Sequence, residues 1–188
     1  MRPRKGPRKI PDTGLPALEK AAYAYLERYA SSAENLRRVL MRRIERAARA
    51  EAIERSDGAA RVDAVIGKLV ERRLLDDKAY AEARARSLSR QGRASSVIAR
   101  KLQMKGVGAE LVEEAVEVVI EDGHSDLAAA LRLARKRRLG PFRPKAERRE
   151  RRQRDMAVLG RAGFSFEIAR KVIEAENAEA IEQEIGGS

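Results

Sequence analysis

The residues best suited to metal binding or acid–base chemistry are two adjacent carboxylates, Asp76 and Asp77, just before a helix predicted over 77–90. At that position one aspartate can cap free backbone N–H groups, and both favour the positive end of the helix dipole. No third carboxylate or histidine stands beside them to complete a metal site. We therefore predict that the pair forms a structural joint.

The residues that other kinds of catalytic or metal site require are missing from the sequence. The chain has no cysteine and one histidine, His124, which excludes thiol nucleophiles, disulfides and multi-histidine zinc sites. The turn Gly140–Pro144 lacks the spacing of a phosphate-binding loop. The sequence thus predicts a protein that is not an enzyme, with no cofactor, no metal and no small-molecule substrate.

Basic residues carry the remaining chemistry. The 188 residues have 41 Lys+Arg against 29 Asp+Glu, a net charge of +12, which favours a polyanionic partner. Seven bases and no acid fall in 83–107, and twelve bases against two acids fall in 132–154. Between them, 108–131 holds seven acids and no base. From the two basic segments we select six candidate contact residues: Arg84, Arg86, Arg90, Arg93, Arg137 and Arg138.

These runs could follow phosphates in a sequence-independent, salt-sensitive way, or dock on an acidic protein surface. They lack interleaved aromatic residues, which single-strand readout by base stacking would need. Residues 10–82 are nearly balanced, with 14 bases against 13 acids. That segment yields no contact candidate.

The elements that must position these residues are helices. Apolar residues recur at helical spacing from Leu18 onward, and no period-two run is present, so the fold class is predicted to be all-α. In the first helix the apolar stripe includes Tyr25 and Tyr29. Ser31 and Glu34 have the spacing of a capping box that begins the second helix. A break is predicted at Ser56–Gly58.

An internal repeat appears in the later chain. A shift of 57 residues superposes Lys101–Val107 on Val158–Phe164 and matches Gly106 with Gly163. Each glycine can take the left-handed conformation that ends a helix, after which an apolar residue tucks under the turn. We predict that Gly106 and Gly163 are the joints of two equivalent helix–turn–helix units.

The repeat predicts a tandem organisation. Three modules of three helices, led by helices at 17–29, 77–90 and 126–138, would form an elongated, curved array. The predicted divisions are a disordered basic arm at 1–16, module 1 at 17–76 with an insertion near 46–58, module 2 at 77–123, and module 3 with a C-terminal tail at 124–188.

Several of these motifs resemble the RecX regulatory family. Leu26–Leu40 is similar to the family's opening, with its Leu-Arg-Arg-x-Leu helix. Leu74-Leu-Asp-Asp77 followed by Tyr80-Ala81 resembles its Gly-Leu-Leu-Asp-Asp-x-x-Phe-Ala signature, with Arg73 in place of the usual glycine. Residues from Arg86 to Val107 match its Arg-Ser…Gly…Ile…Leu…Lys-Gly-Ile series.

The resemblance implies an all-helical regulator that binds the RecA recombinase filament on single-stranded DNA and inhibits its ATPase, strand exchange and growth, in DNA repair and the SOS response. It implies RecA as partner, with possible contact to single-stranded DNA. The third module departs most from the family pattern, so contact positions cannot be carried over there.

Two other interpretations remain open. The chain could be a direct DNA-binding helix-turn-helix protein, with 101–120 or its copy as the reader, although four glutamates on that helix would face phosphates. It could also be a self-associating scaffold, whereas we expect a monomer. The chain lacks a long apolar run, which predicts a cytoplasmic protein without membrane attachment.

Overall fold

The computed structural model describes residues 10–123 and 125–186, and within them it has ten α-helices, one 3-10 helix and no strand. The predicted all-α class is confirmed. In chain order the helices are α1 (Leu15–Leu26), α2 (Ala33–Ala48), α3 (Arg55–Glu71), α4 (Asp77–Arg90), α5 (Ser95–Met104), α6 (Ala109–Glu121), α7 (Asp126–Arg137), the 3-10 helix Gly140–Phe142, α8 (Lys145–Arg161), α9 (Phe166–Ile173) and α10 (Ala178–Gly186).

The helices form two compact units, one ending at Tyr80 and the other beginning at Ala81. In the first unit α1, α2 and α3 pack around an aliphatic core. Its members recur at helical spacing on each helix, which is why these three segments fold as amphipathic helices. The fully buried side chains include Leu18, Leu36, Leu40, Ile44, Val62, Val65 and Leu69.

The first helix begins earlier than the sequence predicts. Leu15 and Pro16 belong to α1, although both fall within the predicted disordered arm. Proline is well suited to a first helical turn, because its missing N–H would have no partner there. The helix ends at Leu26, so Tyr29 lies outside it and is 57% exposed instead of joining the core. Residues 1–9 of the arm lie outside the described residues.

The break between α2 and α3 is also misplaced in the sequence prediction. The connection runs from Arg49 to Glu54, and Ser56–Gly58 lie inside the first turns of α3. Gly58 is buried against Ile44 of α2, where an added Cβ would stand 2.3 Å from the Ile44 Cγ2 atom. The glycine therefore permits close packing of α3 on α2 and does not break the helix.

The cap of α2 is displaced by one residue from its predicted position. Ser32, not Ser31, is the N-cap, and its hydroxyl accepts a hydrogen bond from the Asn35 backbone N–H at 3.2 Å. Ser31 is buried and its hydroxyl accepts a hydrogen bond from the Asn35 side chain at 2.8 Å. Three positions after Ser32 stands Asn35, not the Glu or Gln of a capping box, so the pattern pointed to Ser31 while the helix begins one residue later.

The second unit contains α5 to α10 and all but the first turn of α4. Its largest core cluster joins α7, α8 and α9, and Ile181 of α10 is buried with them. Part of the predicted C-terminal tail is thus a helix, with apolar residues at 178, 181 and 185 forming its stripe. The module boundaries at 76/77 and 123/124 stay predictions.

Candidate polyanion-binding surfaces

The two adjacent aspartates have different partners. Asp76 caps its own helix, because its Oδ1 atom accepts a hydrogen bond from the Ala79 N–H at 2.8 Å. Asp77, the first residue of α4, instead accepts from the N–H of Ala33 at 2.8 Å. Its carboxylate therefore satisfies the free N-terminus of α2, which adds a tertiary contact to the capping that the sequence predicts.

The same contact recurs further along the chain. Asp126, the first residue of α7, accepts from the backbone N–H of Ser95 at 2.8 Å and from its hydroxyl at 2.9 Å. Ser95 is the first residue of α5, as Ala33 is of α2. At both places, the aspartate that begins one helix therefore accepts a hydrogen bond from the first residue of an earlier helix. Within the described residues, no cluster of three metal-ligating side chains includes Asp76 or Asp77.

The two repeat glycines make equivalent turns. Gly106 has φ 77° and Gly163 has φ 97°, both in the left-handed region. The next N–H in each case bonds back across the turn at 3.2 Å, from Val107 to the Leu102 carbonyl and from Phe164 to the Leu159 carbonyl. Gly163 has a second role, because an added Cβ would lie 2.4 Å from the Val97 Cγ2 atom.

The usual family glycine before Leu74 is replaced here without loss of the turn. Arg73 has φ 55°, a left-handed conformation that favours glycine, and the N–H of Leu74 bonds to the Leu69 carbonyl at 2.9 Å. The turn therefore persists with a conformational cost that a glycine would avoid.

The basic segment 83–107 contains both free and paired arginines. Arg84, Arg90 and Arg93 are exposed, and no acidic side chain of the described residues lies within 4 Å of them. Arg86 differs from them, because it bonds to Asp122 at 3.0 Å and to Glu82 at 3.2 Å. The bond to Asp122 raises the pKa of Arg86. Arg86 therefore links α4 to the end of α6. Of the six predicted contact residues, it is the least available to a partner.

The second pair of candidates lies where α7 ends. Arg137 and Arg138 are exposed and have no acidic partner within 4 Å in the described part of the chain. Arg138 has φ 53° and forms the left-handed C-cap of α7. Its backbone thus closes the helix while its side chain remains accessible at a helix C-terminus, where positive charge is favourable.

Two arginines that follow in the arginine-rich segment, Arg143 and Arg148, have structural roles. Arg143 bonds to the buried Asp155 through Nε at 2.7 Å and Nη2 at 3.0 Å, and Gly140 donates its N–H to the same carboxylate at 3.0 Å. Arg148 donates to the carbonyls of Arg143, Pro141 and Glu176. These guanidinium groups fix the turn between α7 and α8.

A basic groove in the first unit escaped the sequence analysis. It lies between α1 and α2 and contains four arginines and two tyrosines: Arg28, Arg42, Arg43, Arg46, Tyr25 and Tyr29. The tyrosines were assigned to the apolar stripe, and the segment's net charge is close to zero. The available signal was the spacing of residues 39, 42, 43 and 46, which share one helix face.

His124 lies outside the described residues. In the described ranges, none of the helices has both the length and the apolar composition needed to cross a membrane.

Comparison with known proteins relates the sequence to one family. A family model described as the second three-helix domain of RecX matches residues 76–116. The regulatory protein RecX of Myxococcus xanthus (strain DK1622) is 47% identical over 175 residues, which cover 93% of this chain and 91% of that protein. The regulatory protein RecX of Agrobacterium fabrum is 41% identical over 106 residues, covering 56% of this chain and 55% of that protein.

Solved structures show the same fold. The crystal structure of RecX from Lactobacillus salivarius matches with a TM-score of 0.61 and 20% identity, over 93% of this chain and 97% of that one. A second crystal structure of a regulatory protein RecX matches with a TM-score of 0.57 and 20% identity, over 86% of this chain and 74% of that one.

Proposed function

This chain belongs to the RecX family of regulatory proteins, and from that premise we propose that it binds the RecA recombinase assembled on single-stranded DNA and restrains it. The restraint acts on filament growth, ATP hydrolysis and strand exchange, and it is non-enzymatic. The observation that carries the proposal is the 47% identity that extends over 93% of the chain. As part of the same proposal, the protein acts in DNA repair, as a monomer and in the cytoplasm.

The exposed arginines supply the contact that we propose. Arg84, Arg90 and Arg93 on one segment and Arg137 and Arg138 on another have no acidic partner in the described residues, so they can meet acidic side chains or phosphates. Charges of this kind steer encounter and fix orientation, and their effect weakens with salt. Arg86 is left out of the proposed contact set, because Glu82 and Asp122 already neutralise it.

A direct test is the RecA ATPase on single-stranded DNA, measured across a salt series with this protein added below stoichiometry. We expect a lower ATPase rate and less strand exchange, with the inhibition weakening as salt rises. Absence of inhibition at stoichiometric amounts in low salt would contradict the proposal.

Substitutions of the exposed arginines test which of them contact the RecA filament. Replacing Arg84, Arg90 and Arg93 together by Gln should weaken inhibition roughly tenfold or more, since each rim charge contributes mainly to encounter. The matched control removes three exposed charges elsewhere, Lys20→Gln, Arg49→Gln and Arg72→Gln, and should inhibit normally. Equal loss in both variants would assign the effect to net charge and overturn the proposed contact.

The second candidate function, a helix-turn-helix reader of duplex DNA, is opposed by the surface of α6. Glu110, Glu113, Glu114 and Glu117 are all exposed on the helix that would enter the groove. Carboxylates there repel the phosphates that dominate DNA affinity. A discrete footprint on duplex DNA without RecA would favour this alternative.

A further inference from the structure

The groove between α1 and α2 gathers positive charge outside the two basic segments. It is an open surface groove of about 390 Å³, and its charged lining residues are all arginines. Beside them lie Tyr25 and Tyr29, with small and aliphatic side chains at the base.

Two helical stripes place these side chains face to face. On α2, residues 39, 42, 43 and 46 follow the spacing of one helix face, and on α1 residues 21, 24 and 25 do the same. Arg28 and Tyr29 follow directly in the turn, held by N–H bonds to the Tyr25 carbonyl at 3.1 and 3.0 Å. The arrangement thus follows from ordinary helix periodicity and one tight turn.

The two tyrosines form an aromatic platform. Their ring centroids lie 5.1 Å apart with the ring planes at 44°. The Tyr25 hydroxyl accepts a hydrogen bond from the Asn35 side chain at 3.2 Å, which anchors the inner ring. Tyr29 is the outer ring and is 57% exposed, so its face remains available to a ligand.

One hydrogen-bond donor of Arg43 has no partner in the part of the protein that the structure describes. Its Nε atom is buried and has no hydrogen-bond partner among the described residues. A buried donor without a partner costs folding free energy, and Arg43 therefore contributes positive charge to the groove without an acceptor at this atom from the described part of the chain. Arg46 is oriented by a hydrogen bond from its Nε atom to the Arg42 carbonyl at 3.2 Å. The site is therefore partly preorganised for an oxyanion.

We propose that this groove binds a single-stranded nucleic acid, with phosphates on Arg42, Arg43 and Arg46 and one base stacked on Tyr29. Guanidinium groups match phosphate oxygens in a planar fork, and a positively charged groove beside exposed aromatic rings is the arrangement that single-strand binders use. An acidic peptide could satisfy the arginines but would leave the exposed ring unexplained. The site binds free strands, so it does not rest on the proposed action on RecA.

The arginines are tested by binding of a labelled oligothymidylate to the full chain without recombinase. Arg42→Gln with Arg46→Gln should lower affinity about tenfold or more. The slope of log affinity against log salt should shrink by about 1.4, since each lost single-strand phosphate contact contributes about 0.7. Arg61→Gln with Arg72→Gln removes two exposed charges of the same unit and serves as the matched control. Equal losses in the two variants would overturn the site.

The aromatic platform is tested separately. Tyr29→Ala should weaken oligothymidylate binding about fivefold or more, whereas Tyr29→Phe, which keeps the ring, should bind as wild type does. Because the chain has four tyrosines and no tryptophan, intrinsic emission reports tyrosine alone. Its quenching by the oligonucleotide should diminish in Tyr29→Phe.

Two outcomes would refute the stacking and the ligand class. Full binding by Tyr29→Ala would show that no base stacks on this ring. Displacement of the oligonucleotide by polyglutamate at equal charge concentration would assign the groove to an acidic protein segment. In both tests thermal melting of each variant verifies that the fold is intact, and Tyr29→Phe gives a second, conservative comparison if Tyr29→Ala is unstable.

Discussion

The α1–α2 groove and the arginine-rich segment at 140–155 use arginine in opposite ways. The groove lies in a stretch of 73 residues with 14 bases and 13 acids, yet it presents four arginines without an acidic lining residue. The segment around α8 is part of a strongly basic run, yet Arg143, Arg148 and Arg152 are bound to carboxylates or carbonyls of the same unit.

The contrast shows that net charge along the sequence is a poor measure of an available binding surface. What matters is whether a helix face brings an acceptor within reach of each guanidinium. In the α8 region the turn Gly140–Phe142 supplies the Pro141 carbonyl and the end of α9 supplies Glu174, so Arg148 and Arg152 are bound within the fold. In the groove the facing side chains of α1 are alanine and tyrosine, which leaves charge free for a partner.

The largest expected effect is at the buried carboxylate of the α8 region. Asp155→Asn should lower the free energy of unfolding by about 2–3 kcal/mol, because it leaves a half-buried Arg143 with only the more distant Glu147, at 3.8 Å, as a counter-ion. Asp155 is 1% exposed and Arg143 is 22% exposed at the side chain, so solvent can compensate only in part. Urea unfolding followed by circular dichroism measures the change.

The neighbouring Arg154→Gln is the control for that measurement. Arg154 is exposed and has no acidic partner within 4 Å in the described residues, so its loss should change stability by less than about 0.5 kcal/mol. If Asp155→Asn were as mild as this control, the arginines of the segment would not be structural, and the contrast between the two regions would fail.

Substitution in the groove should change stability in the opposite direction. Arg43→Met removes a buried donor without a partner and one of four neighbouring like charges, while it keeps the apolar stem. We expect stability to be unchanged or to rise by up to about 1 kcal/mol, whereas Arg143→Met should destabilise. Both variants are compared by urea unfolding.

The relative size of these two stability changes tests the contrast between the two regions. Destabilisation by Arg43→Met comparable with that by Arg143→Met would mean that the groove arginines hold α1 and α2 together, and the distinction drawn between the regions would be wrong.

Much of the fold could be predicted from sequence because helix periodicity is a local signal. The helix at 77–90 coincides with α4, and the left-handed turns at Gly106 and Gly163 follow from one residue type and the next apolar side chain. Pairing is not local. The partner of Asp77 is Ala33, 44 residues earlier, and no spacing rule reveals it. For the same reason the sequence could not separate Arg86, paired with Asp122, from Arg84.

The smallest expected effect concerns an exposed ion pair on α2, the helix that also lines the groove. On α2, Arg37 bonds to Asp63 at 2.6 Å, with the two side chains 36% and 54% exposed. The hydrogen bond from Arg37 lowers the pKa of Asp63 below its ordinary value. The folded state therefore binds this proton less tightly than the unfolded state, and the pair stabilises the fold only while Asp63 is ionised.

The stabilising contribution should accordingly be full above the unfolded-state pKa, about 4, and disappear as pH falls through the lower folded-state value. Because both groups are exposed, we expect only about 0.5 kcal/mol at neutral pH, measured as the coupling energy in a double-mutant cycle of Arg37→Gln and Asp63→Asn. Cycles at neutral and strongly acidic pH test the sign, and a coupling that persisted in acid would mean that packing, not charge, joins the residues. In that case the charge of Asp63 would not distinguish Arg37 from the groove arginines Arg42, Arg43 and Arg46.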